Sequence, residues 1–192
     1  MKLTMSEEIR ICHIQSPTDA LLYRASFVGA YQTVFSQPPY SERFYPDEAQ
    51  SVLQRMLETP NQITLLAVSG RSTVVGFGMG VPLVSRPDVS RHMHGLLPVD
   101  HTFYLAELGV LPAYRGNGLG RELVRKRLEM VNTDRFSHAV LRTSVSRDAA
   151  QNLYLELGFE DIGVYMEVRS RRIDGSVRSD RRLFLSKVLT RG

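Results

Sequence analysis

Residues 102–131, TFYLAELGVLPAYRGNGLGRELVRKRLEMV, constrain this chain more than any other stretch. An apolar run ends at a proline, a glycine-rich turn follows, and apolar residues then recur at helical spacing. The segment therefore predicts a strand, a turn and an amphipathic helix in succession. The turn is Arg115, Gly116, Asn117, Gly118, Leu119 and Gly120. Glycines let the backbone take positive φ and come close to a ligand. The helix behind the turn directs its free N–H groups and the positive end of its dipole back at it, which makes an anion site. A phosphate-bearing ligand is the first expectation.

The 192 residues suffice for one well-filled domain and are few for two, so a single domain over residues 1–192 is expected. An apolar share of 43% and a charged share of 23% are ordinary for a soluble globular protein. The net charge of +4 suits anionic ligands but is too small and too evenly spread to point to nucleic acid. Cys12 is the single cysteine, which excludes an internal disulfide and a thiolate metal cluster. It sits in an apolar alternation with Ile9, Ile11 and Ile14 and reads as a small buried hydrophobe. The first ten residues lack the apolar core of a signal peptide, and no apolar run approaches a membrane span. A cytoplasmic protein with no membrane partner is the default expectation.

Taken in order, the chain predicts a short strand over 10–14 and a helix over about 19–35, with Leu21, Leu22, Ala25, Val28 and Phe35 near its apolar stripe. Pro38 and Pro39 end that helix, and Pro46, Asp47 and Glu48 open a second. Strands over 63–68 and 74–81 flank a hairpin turn at 70–73. Gly76, Gly78 and Gly80 share one face of the return strand and leave room for something to pack closely. Residues 82–100 read as a polar, proline-bearing loop. His92 and His94 within it have no third ligand nearby and read as exposed loop residues, so no metal is expected. After the turn unit come a strand over 138–145, a helix over 148–157 stopped by Gly158, a strand over 159–168, an arginine-rich hairpin over 169–182 and a last strand over 183–188. The order implies one layered α/β domain with a mixed sheet and helices on its faces.

Two common phosphate motifs fail at the turn. A P-loop needs Lys and Ser/Thr after its last glycine, where Arg121 and Glu122 stand. A dinucleotide fingerprint needs wider glycine spacing and an acid at a strand end. The pattern Arg/Gln-x-x-Gly-x-Gly/Ala between strand and helix instead resembles the acetyl-coenzyme A pyrophosphate loop of the GNAT N-acetyltransferase superfamily. Asn152-Leu153-Tyr154-Leu155-Glu156-Leu157-Gly158-Phe159 resembles that superfamily's L-Y-x-x-x-G-F helix end, and 37–42 resembles the P-P-Y-x-E stretch of some bacterial members. The resemblance implies a single mixed, mostly antiparallel sheet flanked by helices and acetyl-CoA as co-substrate. It assigns the donor to Leu108, Gly109 and Val110, to Arg115, Gly116, Asn117, Gly118, Leu119, Gly120 and Arg121, and to Tyr154. Leu123, Val124 and Leu128 anchor the helix. Arg115 adds a charged contact, whereas Arg125, Lys126 and Arg127 read as the wet face of that helix.

Acetyl transfer to an amine needs a neutral amine, a polarised thioester, a stabilised oxyanion and a protonated leaving thiolate. An alkylamine is mostly protonated at neutral pH, so a base is required. Glu107 is the only acid within the apolar run 103–111 and is the candidate base. The superfamily places its acid variably, at the positions of Arg142 or Ala106 here in some members. Tyr154 is the candidate acid, by likeness to the motif's tyrosine. The Val110 N–H is expected to meet the oxyanion. Many members carry an asparagine where Arg147 stands here.

The resemblance also frames the acceptor by the loop over 36–45 and the hairpin over 169–182. Tyr40, Glu42 and Phe44, with Tyr45 and Glu48 nearby, fit a cationic or apolar amine. The arginines fit a carboxylate or phosphate, and a solvated tip around Asp174 and Gly175 explains them without a ligand. The expected activity is transfer of acetyl to a primary amine of a small molecule or peptide by direct attack in a ternary complex. A homodimer is a further expectation. A non-catalytic acyl-CoA sensor and a basic RNA- or partner-binding module are the alternatives.

Overall fold

The two-residue period of the strands and the 3.6-residue period of the helices meet in one sheet covered on both faces. The computed structural model describes residues 8–146 and 148–190, so Arg147 lies outside the described residues. Strands β1 (Ile9–Ile14), β2 (Ile63–Ser69), β3 (Thr73–Pro82), β4 (Thr102–Val110), β5 (His138–Ser144), β6 (Glu160–Arg171) and β7 (Val177–Val188) lie in the order β1-β2-β3-β4-β5-β7-β6. Neighbours are antiparallel except β4 and β5, which run parallel and are joined through a helix. The helices are α1 (Arg24–Ser36), α2 (Pro46–Glu58), the single turn α3 (Pro87–Ser90), α4 (Leu119–Met130) and α5 (Ala149–Glu156). This is the mixed, mostly antiparallel α/β architecture the sequence predicts.

Covering both faces explains why β2 is apolar at nearly every position. Leu66 and Val68 join Phe27, Tyr31, Leu53 and Phe77 in a core under α1 and α2. Leu65 and Ala67 join Phe103, Leu123, Val124 and Tyr154 in a second core under α4 and α5. Cys12 is half-buried against the first core.

Four expectations change. The first helix starts at Arg24, because Asp19 closes a turn by accepting from the amides of Gln15 and Ser16. Leu21 and Leu22 are exposed, and the buried stripe of α1 is Phe27, Ala30, Tyr31 and Val34. Residues 82–100 are no polar loop, since Leu83, Val89 and Met93 are fully buried beneath short helical turns. His92 stacks on Phe184 with ring centroids 6.1 Å apart. Finally, β6 and β7 run well into the arginine-rich segment and leave only 172–176 as the tip. Charges recur at every second residue at Glu167, Arg169 and Arg171 and at Arg178, Asp180 and Arg182, as an edge hairpin allows, with Arg181 out of phase.

Candidate active site

The site begins where two strands part. Pairing of β4 with β5 ends at Leu105 and Leu141, while β4 stays bonded to β3 as far as Val110. A cleft of about 890 Å³ follows this splay. Leu111 N–H donates to Val75 O at 2.9 Å, so the alternation of the ladder turns the Val110 amide the other way, into the splay. The Val110 carbonyl on that side accepts from Arg115 Nε at 2.9 Å. Gly109 is a glycine for packing reasons, because a Cβ there would lie 2.3 Å from the Phe77 ring. Leu108 and Gly109 line the cleft with Val110.

A bulge sets the direction of Glu107. Tyr104 pairs with Val81 and Glu107 with Met79, which leaves β4 one residue longer than β3 between them. Phe103 and Leu105 therefore belong to the α4-side core, whereas Tyr104 and Glu107 share the α1 side. There Tyr31 Oη donates to Glu107 Oε2 at 3.3 Å. Desolvation raises the Glu107 carboxyl above its ordinary range, against the opposing pull of Arg142, Arg86 and the Tyr31 hydroxyl. Sequence spacing carries no mark of this bulge.

At the other end of the splay the glycine turn enters α4. Gly116 and Gly118 sit at φ 79° and 78°, the left-handed region, with open space where a Cβ would stand. Backbone conformation alone requires glycine there. Gly118 is the N-cap, and Leu119, Leu123 and Val124 are buried and hold the helix end in place. Arg115, Gly116, Gly118, Leu119, Gly120 and Arg121 line the cleft. Asn117 is exposed and lies outside the lining. Arg121 pairs with Glu156 across to α5.

Arg127 overturns the wet-face expectation. Arg125 and Lys126 do pair with Glu129 and Glu122 on the surface, but Arg127 is fully buried. Its Nη1 donates to the carbonyls of Met79 (2.9 Å) and Glu107 (3.0 Å), on the two strands at the bulge, and its Nε to Leu123 O at 3.2 Å. A Cβ on Gly78 would lie 2.8 Å from Nε, so the bare face of β3 is the seat of this guanidinium. Burial lowers the Arg127 pKa to about 10. Tyr154, 7% exposed, lies within its electrostatic reach and packs edge-on to Phe159. Burial raises the Tyr154 phenol well above its ordinary value, and Arg127 pulls it back.

The part of the cleft expected to take the acceptor is lined by Tyr40, Glu42 and Phe44 together with Arg142 and Arg182. Glu42 is not a free receptor for a cation. Its Oε1 accepts from Arg182 Nη2 at 2.7 Å, and both side chains are buried. Burial still raises the Glu42 carboxyl, opposed by Arg182 and Arg172. Glu48 is likewise engaged, by the Tyr45 amide at 2.7 Å and by Arg171 at 3.4 Å. Arg172 donates to Tyr40 O and pairs with Asp180, while Arg182 lies 4.7 Å over the Tyr40 ring. Both arginines are buried and act as internal ties, although Arg172 opens the hairpin tip. Phe44 packs edge-on to Tyr31, with centroids 5.0 Å apart. Among the described residues no group of three side chains suited to a metal occurs.

The splayed parallel pair, the turn at a helix start, the desolvated Glu107 carboxyl and the buried Tyr154 phenol lie along one cleft, an arrangement suited to acyl transfer. The family comparison agrees: residues 27–159 match the acetyltransferase (GNAT) family, and the chain belongs to it. That family is one of acetyltransferases and works with acetyl-CoA. It is 30% identical to N-alpha-acetyltransferase RimI of Mycobacterium tuberculosis over 127 residues, 66% of this chain and 68% of that one. It is 38% identical to N-acetylaspartate synthetase of Xenopus tropicalis over 65 residues, 34% of this chain and 24% of the synthetase. The chain spans 24% to 37% of the length of three curated relatives, the synthetase among them. Ribosomal-protein-alanine N-acetyltransferase from Brucella melitensis has a similar fold, with a TM-score of 0.67 at 18% identity over 94% of this chain and 99% of the other.

Proposed function

We propose that the protein transfers acetyl from acetyl-CoA to the primary amine of a small molecule or peptide, by direct attack in a ternary complex. The observation that carries this reading is the splay beyond Leu105 and Leu141, with the turn amides at one end and Glu107 at the other. Amides of residues 116–120 meet the pyrophosphate, and the Val110 N–H meets the oxygen that gains charge. Glu107 takes the ammonium proton, directly or through water, and frees the nitrogen lone pair. The new C–N bond forms as the C–S bond breaks, Tyr154 gives its phenolic proton to the leaving thiolate, and the second proton shed by the acylated nitrogen restores the phenol through solvent. The raised proton affinity of Tyr154 keeps it in the donating form. An α-amine is the favoured acceptor, since two relatives are named for products or activities at α-amines.

The alternatives lose ground. An RNA- or partner-binding module needs free arginines, and four of the six in the hairpin, Arg171, Arg172, Arg178 and Arg182, have carboxylate partners, while Arg181 lies over the Tyr165 ring. A sensor has no use for a carboxyl and a phenol placed along the cleft. The test is initial-rate kinetics by thiol release with both substrates varied. Intersecting lines are expected, and Tyr154→Phe should lower kcat by about 10²- to 10⁴-fold while the KM for acetyl-CoA holds. Parallel lines would point to a covalent acetyl-enzyme, and equal rates would make Tyr154 a packing residue.

A further inference from the structure

Arg142 stands in the acceptor half of the cleft without an acid to match it. It follows Leu141, the last β5 residue paired with β4, so it lies on the wall of the splay. Val140 belongs to the α1-side core and Leu141 to the α4-side core, so alternation puts Arg142 on the α1 side, the face that carries Glu107. Its side chain is half-buried, and its hydrogen-bond acceptor is Met166 Sδ at 3.3 Å. A thioether is a weak acceptor for a group with five N–H donors. Among the described residues no carboxylate lies within ion-pair distance of Arg142. The carboxylates lining the cleft are otherwise held: Glu42 by Arg182, Glu48 by Arg171, Glu107 by Tyr31, and Asp148 by the Gln151 amide. The Arg142 charge acts at a distance on Glu107, Tyr104 and Asp88, and favours their ionised forms.

A partly desolvated guanidinium with so poor an acceptor favours an anionic ligand that fits its fork. Glu107 on the same face receives a cation. A ligand with an ammonium and a carboxylate on one carbon meets both. We propose that Arg142 is a carboxylate subsite, so that the acceptor is a free α-amino acid whose amine faces Glu107 while its carboxylate pairs with Arg142. The inference rests on the acetyl-transfer reading and narrows its acceptor. The first residue of a peptide has its carboxyl locked in an amide and leaves Arg142 unmatched. The transfer itself is unchanged: the amino nitrogen gains the acetyl carbon, the C–S bond breaks, and the carboxylate takes no part in bond making.

The test compares each proteinogenic L-amino acid with its α-carboxamide and with dipeptides bearing it first, as acceptors in a thiol-release assay with acetyl-CoA. At least one free acid should exceed its carboxamide by about 10- to 100-fold in kcat/KM, the size of one charge-assisted hydrogen-bonded contact. Arg142→Gln should erase that preference and Arg142→Lys should keep part of it. The acid-to-amide comparison needs only the wild-type protein, so a variant that does not fold leaves it decisive. Carboxamides and dipeptides acetylated as well as the free acids would overturn the subsite while acetyl transfer stands. Absence of thiol release with every amine would overturn the transfer reading. Calorimetry of the same amino acids on CoA-saturated protein then decides the subsite: carboxylate-dependent heat keeps it, and no heat overturns it.

Discussion

Glu107 and Tyr154 both sit in surroundings that resist charge, and each is held short of isolation by an arginine. Desolvation raises the Glu107 carboxyl, with Arg142 as the main counterweight. It raises the Tyr154 phenol, with Arg127 as counterweight. A raised carboxyl is a stronger base than an exposed one. Glu107→Gln should therefore lower kcat/KM by about 10²- to 10⁴-fold and remove the acidic limb of its pH profile. A retained limb in the thiol-release assay assigns the base elsewhere. Arg127→Met should lower kcat more than it raises the KM for acetyl-CoA, and the loss should shrink in a Tyr154→Phe background. Additive losses would make Arg127 a packing residue alone. The burial of Arg127 follows from helix geometry. Three cations in a row look like a wet face, yet 100° per residue sends them to different sides. Arg127 falls on the stripe of Leu123 and Val124, which periodicity by itself indicates.

At the scale of elements, what was legible is what is local. The turn's glycines are required by positive φ at Gly116 and Gly118, and Tyr154 and Gly158 lie at one helix end, so neighbouring residues specify both. The β4 bulge depends on register against β3, and the Glu42–Arg182 tie joins residues 140 apart, so neither leaves a local trace. The row of glycines on β3 is legible as a gap, but what fills it is not: Leu123 and Arg127 of α4 at Gly76 and Gly78, and Phe103 of β4 at Gly80. Gly78→Ala tests that fit. The new methyl meets Nε at 2.8 Å and displaces the guanidinium from the bulge carbonyls. We expect about 1–3 kcal/mol of destabilisation by urea unfolding, the usual range for overpacking, together with a fall in kcat. An unchanged midpoint and rate would show the contact to be slack.

For the whole molecule, two raised carboxyls make a prediction about pH. Burial lifts both Glu42 and Glu107 above the ordinary value of 4.5. The folded state holds those protons to higher pH than the unfolded chain does. Their contribution to stability is fully present in acid and is lost as pH rises through the raised values. Asp88 works the other way, because the Arg86 hydrogen bond lowers its pKa and its contribution is lost only as pH falls through that lowered value. The Tm should therefore rise as pH is lowered from neutrality through those raised values, and rise less in Glu107→Gln. A Tm falling steadily over that window contradicts the assignment. The cost falls on groups lining one cleft, as expected where stability is given up for function.

The claim on which the rest depends is that the turn at residues 115–120 and the splay beside it form the donor site. A calorimetric titration of acetyl-CoA into the wild-type protein and into Gly118→Asp tests it most directly. Gly118 takes φ 78° at the start of α4, so aspartate there brings both backbone strain and a negative charge to the helix N-terminus that should meet the pyrophosphate. Saturable one-site binding to the wild-type protein and none to a folded Gly118→Asp variant is the predicted result. Equal affinity in the two proteins would contradict it.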